Sequence, residues 1–106
     1  MQDESHKKLI ETLLAFYRER DWEKFYSPKN LVMNIAGETG ELLEPFCWIT
    51  EEQSQNLDPK TREAVKKEIA DVFMLLLYLA HQLEIDPIQA SYEKLKELGE
   101  RYPVSK

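Results

Sequence analysis

The chain is 106 residues long, 42% hydrophobic and 32% charged, with 20 acidic residues against 14 basic ones and a formal charge of −6. That length fits one small domain, 1–106, and that composition a globular one, while an acidic chain without a basic run lacks the electrostatic footprint of a nucleic-acid binder. Cys47 has no second cysteine to pair with, the start MQDESHKK lacks the apolar core of a signal peptide, and the longest apolar run, Val72 to Ala80, is far shorter than the roughly 20 residues a membrane span needs; a soluble, cytoplasmic protein without nucleic-acid or membrane partners is expected.

The chain punctuates itself into four helices. The first is expected over roughly residues 4 to 20, where Leu9, Leu13, Phe16 and Tyr17 recur at the spacing of one buried stripe. Three more are expected to start near residues 28, 59 and 87. There Ser27-Pro28, Asp58-Pro59 and Asp86-Pro87 each set an N-cap side chain before a proline, which costs nothing at the first helical position. Gln89 stands at the capping-box position after Asp86. Thr50 to Leu57 (TEEQSQNL) is polar and reads as a surface loop. With only 3 Gly and 5 Pro there is little room for the turns of a sandwich or barrel, so the expected fold is an all-α bundle.

The third of these helices is apolar on every face from Ala70 to Leu83, which asks for burial on every face. Four helices from so short a chain cannot cover it well, so a second copy is expected on the outer face, making a homo-oligomer. The last helix carries a stripe of Ile88, Tyr92, Leu95 and Leu98 or Gly99.

Four acid pairs have the i, i+3 spacing of a shared helix face: Glu38/Glu41, Glu41/Glu44, Glu68/Asp71 and Glu97/Glu100. Chance alone gives about four in so acidic a chain, so the spacing is a weak signal. Position separates them. Glu38 stands in the stripe Leu31, Ile35, Leu42, and Glu68 in the stripe Val65, Val72, Leu75, Leu79; Asp71 lies in the all-apolar stretch. Glu97 and Glu100 read as a solvated face. Carboxylates buried together without a cation cost several kcal/mol each, and no Lys or Arg occupies these stripes. A hard divalent cation, Mg²⁺ with Mn²⁺ as substitute, is the simplest compensation. A di-iron site needs Glu-x-x-His repeats, which neither His6 nor His81 completes. Gly37 and Gly40 suggest close approach of a helix or a ligand to the backbone, and Pro45 ends or kinks the second helix before an apolar exit of Phe46, Cys47 and Trp48. Cys47 reads as a packing residue. Trp22 and Trp48, in the connections, read either as core or as platforms for a nucleobase.

Together, ERDWEKF (Glu19–Phe25), SPKNL (Ser27–Leu31), GETGELLE (Gly37–Glu44), Trp48, EIADV (Glu68–Val72) and RYP (Arg101–Pro103) resemble the all-α nucleoside triphosphate pyrophosphatases of the MazG-like, dCTP-pyrophosphatase type, from about Phe16 to Val104. The resemblance implies a Mg²⁺-dependent enzyme that cleaves a (deoxy)nucleoside triphosphate, such as dCTP or a modified dNTP, at the α–β bond to monophosphate and pyrophosphate. It implies metal ligands at Glu38, Glu41, Glu68 and Asp71, a base pocket lined by Trp22 and Trp48, phosphate contacts from Lys94, Arg101 and Tyr102, and a dimer or tetramer with sites between subunits. Glu41 is the expected general base. The chain departs from the family pattern at Leu13, Leu75 and Leu98, where histidine, tyrosine and asparagine often stand, and at Pro45. Those departures bear on substrate choice and leave a non-catalytic oligomeric module, or a nucleotide or metal sensor, as the rival reading.

Overall fold

The computed structural model describes residues 4–104, and every regular element among them is helical: α1 (Glu4–Glu19), a 3-10 turn (Glu23–Phe25), α2 (Pro28–Leu43), a second 3-10 turn (Glu44–Phe46), α3 (Glu51–Ser54), α4 (Pro59–Gln82) and α5 (Pro87–Arg101). The three expected proline starts are all present, each with its cap made. Ser27 accepts from the Asn30 N–H at 3.2 Å, Asp58 from Thr61 at 2.8 Å, and Asp86 from Ile88 and Gln89 at 3.0 and 3.2 Å. Gln89 does not close a capping box; its amide donates to Glu93 at 3.3 Å. The box forms instead at Thr50 and Gln53, where side chain and backbone bond reciprocally at 3.0 and 2.9 Å. Those two bonds turn part of the expected loop Thr50–Leu57 into the short α3, giving five helices where the hydrophobic pattern indicated four. A single turn of polar residues has no apolar stripe to reveal it.

Two helices end on the same device. After α1 the Asp21 N–H bonds the Arg18 carbonyl and the Trp22 N–H that of Tyr17, at 3.1 and 2.9 Å; after α4, Glu84 bonds His81 and Ile85 bonds Ala80, at 3.1 and 2.8 Å. Both are Schellman closures, with a left-handed residue just past the helix. Neither is glycine: Asp21 has φ 56° and Glu84 φ 57°. The pattern left no sequence signal because glycine is what usually announces it.

α2 and α4 make the most extensive contact in the chain, and α1 lies across α4. The core beneath them is small: Ile10, Leu13 and Tyr17 from α1, Leu31 from α2, and Leu77 and Tyr78 from α4 pack together, with Val65 buried apart from them. Of the expected first-helix stripe, Leu13 and Tyr17 are buried, whereas Phe16 is exposed at the rim of a cavity. α5 makes only marginal contact with the other helices, so its expected stripe is not covered within the chain: Ile88 and Leu98 are half-buried, but Tyr92 and Leu95 are 67% and 61% exposed. The outer face of α4 is bare as well, with Ile69, Phe73 and Leu76 exposed. The radius of gyration is 16.9 Å, against about 13 Å for a compact chain of this length.

Three smaller expectations change. Cys47 is exposed rather than packed. A Cβ added at Gly37 or Gly40 would meet nothing within 4 Å, so among the described residues no helix packs where their side chains would stand. Glu97 is solvated as expected, yet it is engaged by Lys94 and Arg101.

The left-handed conformation of Glu84 gives a direct test. Its side chain makes no hydrogen bond or ion pair among the described residues, and a non-glycine residue there costs about 1–2 kcal/mol, against roughly 0.5–1 kcal/mol of extra chain entropy for glycine. Glu84→Gly should therefore raise the stability of α4 closure by up to about 1 kcal/mol, read as a higher midpoint in urea; a lower midpoint would contradict the assigned cap.

Candidate active site

Three carboxylates converge where α2 meets α4. Glu38 and Glu41 share a face of α2, and Glu68 projects from α4; ligand oxygens of all three lie within 4.8 Å of one another. Glu38 and Glu68 sit where helix periodicity put them, on stripes that begin at the buried Leu31 and Val65, and Glu41 lies three residues on from Glu38. Glu38 and Glu68 are half-buried, and Glu41 is exposed. Asp71, one turn along from Glu68, is not part of this tight group; it borders the neighbouring cavity together with Glu38.

The electrostatics of the group are unfavourable on its own. Glu38 is pushed from its ordinary 4.5 up to about 7, first by burial, then by the hydrogen bond its protonated form makes to Glu68, then by the charges of Glu41, Glu68 and Asp71. Glu68 Oε2 is buried and has no hydrogen-bond partner among the described residues. An orphaned acceptor beside two more carboxylates, with every donor a hard oxygen, fits a divalent cation. Glu38, Glu41 and Glu68 are the residues positioned to hold it, with Asp71 next in reach along α4.

A cavity of about 650 Å³ opens from this acidic end, within the range of small-molecule sites. Trp22, Phe16, Tyr17 and Tyr26 form its aromatic side, Leu9, Leu13, Met74 and Leu75 its aliphatic side, and Glu38 and Asp71 its acidic mouth. The α1 closure is what aims Trp22. The Schellman turn holds it one position past Asp21 and folds it back over Tyr17, ring centroids 6.3 Å apart. Phe16 meets Trp22 edge-on at 5.7 Å, and Tyr17 contacts Tyr26 and Tyr78 at 5.0 and 4.9 Å. Burial, with the nearby phenols and Asp71, raises the Tyr17 hydroxyl to about 12, so it stays a neutral donor. Gln82 ties the far end down by donating to the Tyr26 carbonyl at 2.7 Å.

Trp48 is not in this cavity. It is 94% exposed and walls a separate groove with Glu41, Glu44, Pro45, Ala64 and Glu68. The acid group thus lies between two hollows, with one tryptophan in each. α2 ends at Leu43, two residues ahead of Pro45, and that ending carries Trp48 round to the second hollow. Lys94, Arg101 and Tyr102 line neither hollow. All three are exposed, Lys94 and Arg101 on α5 and Tyr102 just past its end, and Glu97 accepts from both cations, at 3.2 and 3.0 Å. Thr12, Tyr26 and Asn34 are cavity residues that the sequence reading missed. Tyr26 and Thr12 carry no spacing signal, but Asn34 lies about one turn before Glu38, where the period of the acid stripe points.

The family model described as MazG-like matches residues 33–106 of the chain. The dCTP pyrophosphatase 1 of Mus musculus is 43% identical over 91 residues, which are 84% of this chain and 54% of that protein. The Homo sapiens protein of the same name is 39% identical over 90 residues, 83% of this chain and 53% of that one. The chain therefore spans about half the length of the curated relatives it matches. Among solved structures, a pyrophosphatase from Archaeoglobus fulgidus DSM 4304 superposes with a TM-score of 0.90 at 33% identity, covering 98% of this chain and 97% of that one.

The raised Glu38 carboxyl fixes the sign of a pH effect. Between about 4.5 and 7 the folded protein holds a proton that the unfolded chain has given up, so the stabilisation is full at the acid end and is lost as pH rises through 7. In EDTA the melting temperature should fall from pH 5 to pH 8. Glu38→Gln, which keeps the neutral form, should flatten that fall, and Mg²⁺ should restore the wild-type melting temperature at pH 8. A wild-type profile that climbs from pH 5 to pH 8 in EDTA would contradict the assignment.

Proposed function

The chain belongs to the MazG-like family, and from that premise we propose that it is a nucleotide pyrophosphohydrolase: it hydrolyses a (deoxy)nucleoside triphosphate, with dCTP or a modified dNTP as the preferred class, at the α–β bond to a monophosphate and pyrophosphate. The observation that carries this reading is the junction of an acidic group with an aromatic cavity, one end suited to a cation-bound polyphosphate and the other to a stacked base. The names of the relatives, dCTP pyrophosphatase and pyrophosphatase, point the same way.

Glu38, Glu41, Glu68 and Asp71 hold Mg²⁺ in this reading, and Mn²⁺ substitutes. A bound Mg²⁺ neutralises charge on the phosphate oxygens and lowers the pKa of a coordinated water. The chain's own residues do the rest by positioning, which dominates phosphoryl transfer. Trp22 stacks the base, a contact worth about 1–3 kcal/mol, and the aliphatic wall excludes water behind it. Glu41, the most exposed acid of the group, takes the proton of the attacking water as general base. The water oxygen joins one phosphoryl group, and the bridging oxygen leaves with the other. Leu13 and Leu75 line the cavity, so two of the four departures from the family pattern fall on the base-binding wall, while Pro45 borders the second hollow and Leu98 lies on α5.

The assembly is a homo-oligomer, a dimer or tetramer. The uncovered faces of α4 and α5 and the expanded radius of gyration support it. Lys94, Arg101 and Tyr102 reach phosphate on a neighbouring copy, and Trp48 completes a neighbour's base pocket, since neither they nor it meets the cavity of its own chain.

With Mg²⁺ the protein should release pyrophosphate and monophosphate from dNTPs and fall silent in EDTA. Glu38→Gln should cost at least about 100-fold in kcat, and light scattering on the same sample should return a multiple of the monomer mass. Release of single phosphates would contradict the α–β reading, and undiminished turnover in both Glu38→Gln and Asp71→Asn would contradict the metal assignment. Nucleotide binding without turnover would favour the sensor.

A further inference from the structure

Asn34 lines the cavity with a side chain whose hydrogen-bonding capacity no described residue uses. It lines the hollow with Trp22 and Glu38, it is exposed, and its carboxamide has no hydrogen-bond partner among the described residues. The contrast with its neighbours is plain. Asn30, one turn earlier on α2, donates to the Phe25 carbonyl at 3.1 Å, and Thr12, across the cavity, donates to the Lys8 carbonyl at 2.9 Å. Asparagine is also a poorer helix former than the alanine, leucine or methionine that would extend the apolar wall, so neither packing nor helix stability accounts for it.

Its place relative to the acids gives it a task. Asn34 and Glu38 are four residues apart on one face of α2, about 6 Å along the axis. A nucleotide with its phosphates at the acid group and its ring against Trp22 passes this point with the edge of its base. A carboxamide offers one acceptor and two donors side by side, the complement of an adjacent amine and ring nitrogen. Resting on the nucleotide reading above, we infer that Asn34 is a specificity-determining residue: its side-chain oxygen accepts from the exocyclic amine of a cytosine-type base in the cavity, and its amide donates to the neighbouring ring nitrogen.

A protein–ligand double-mutant cycle tests this. The substrates are dCTP and its analogue lacking the exocyclic amine, a 2-pyrimidinone deoxynucleoside triphosphate; the variants are Asn34→Leu, of similar volume, and Asn34→Ala, the better helix former. A neutral hydrogen bond predicts that the wild type prefers dCTP by about 3- to 10-fold in kcat/KM, the difference lying in KM. In both variants that preference should close to within about twofold, with melting temperatures within about 2 °C of wild type because the side chain is exposed and unbonded. A preference of the same size in wild type and variants would overturn the role of Asn34 while leaving the nucleotide reading intact. If the wild type neither cleaves dCTP nor binds its non-hydrolysable α,β-imido analogue with Mg²⁺, the nucleotide reading falls and the role of Asn34 falls with it.

Discussion

Everything at this site depends on carboxylates being forced together where two helices pack. α2 and α4 make the most extensive contact in the chain, and the stripes that begin at the buried Leu31 and Val65 run on into Glu38 and Glu68. The helices cannot pack through their apolar residues without also bringing the acids into contact. Like charges at this spacing, partly withdrawn from water, are opposed by several kcal/mol unless a proton or a cation intervenes. The raised Glu38 carboxyl and the orphaned Glu68 oxygen are two signs of that unrelieved opposition. The hydrophobic effect thus supplies the energy that holds the acidic group in place, and a bound cation would relax it.

The aromatic cavity is built by a different means. Its position follows from how α1 ends: a Schellman closure with Asp21 in the left-handed region sets Trp22 over Tyr17. Edge-to-face contacts among Phe16, Trp22, Tyr17, Tyr26 and Tyr78 then hold the rings without filling the space between them and α2. The cavity is a consequence of rigid rings meeting at angles, whereas the acid group is a consequence of helix period. They share a border because Asn34 and Glu38 lie on the same face of α2.

How far the sequence discloses this follows from which interactions are local. The caps at Ser27, Asp58 and Asp86 are legible because cap, proline and first turn are adjacent in the chain, and the placement of Glu38 and Glu68 on apolar stripes is legible because helix period is local too. Trp48 illustrates the opposite case. Its neighbour in sequence is the end of α2, but which hollow it faces depends on where α4 lies, a long-range fact. Phe16 and Tyr17 share the spacing of a core stripe, and no pattern says that one of them stops at a cavity rim. The apolar faces of α4 and α5 are evident in the sequence and remain uncovered within one chain.

The central claim is that the crossing of α2 and α4 is a cation site. It is tested most directly by soaking crystals in Mn²⁺ and measuring anomalous diffraction at the manganese edge. The account predicts a peak among oxygens of Glu38, Glu41, Glu68 and Asp71, at about 2.2 Å as hard-oxygen coordination of so small a cation requires. Peaks elsewhere on the surface with none among these carboxylates would contradict it.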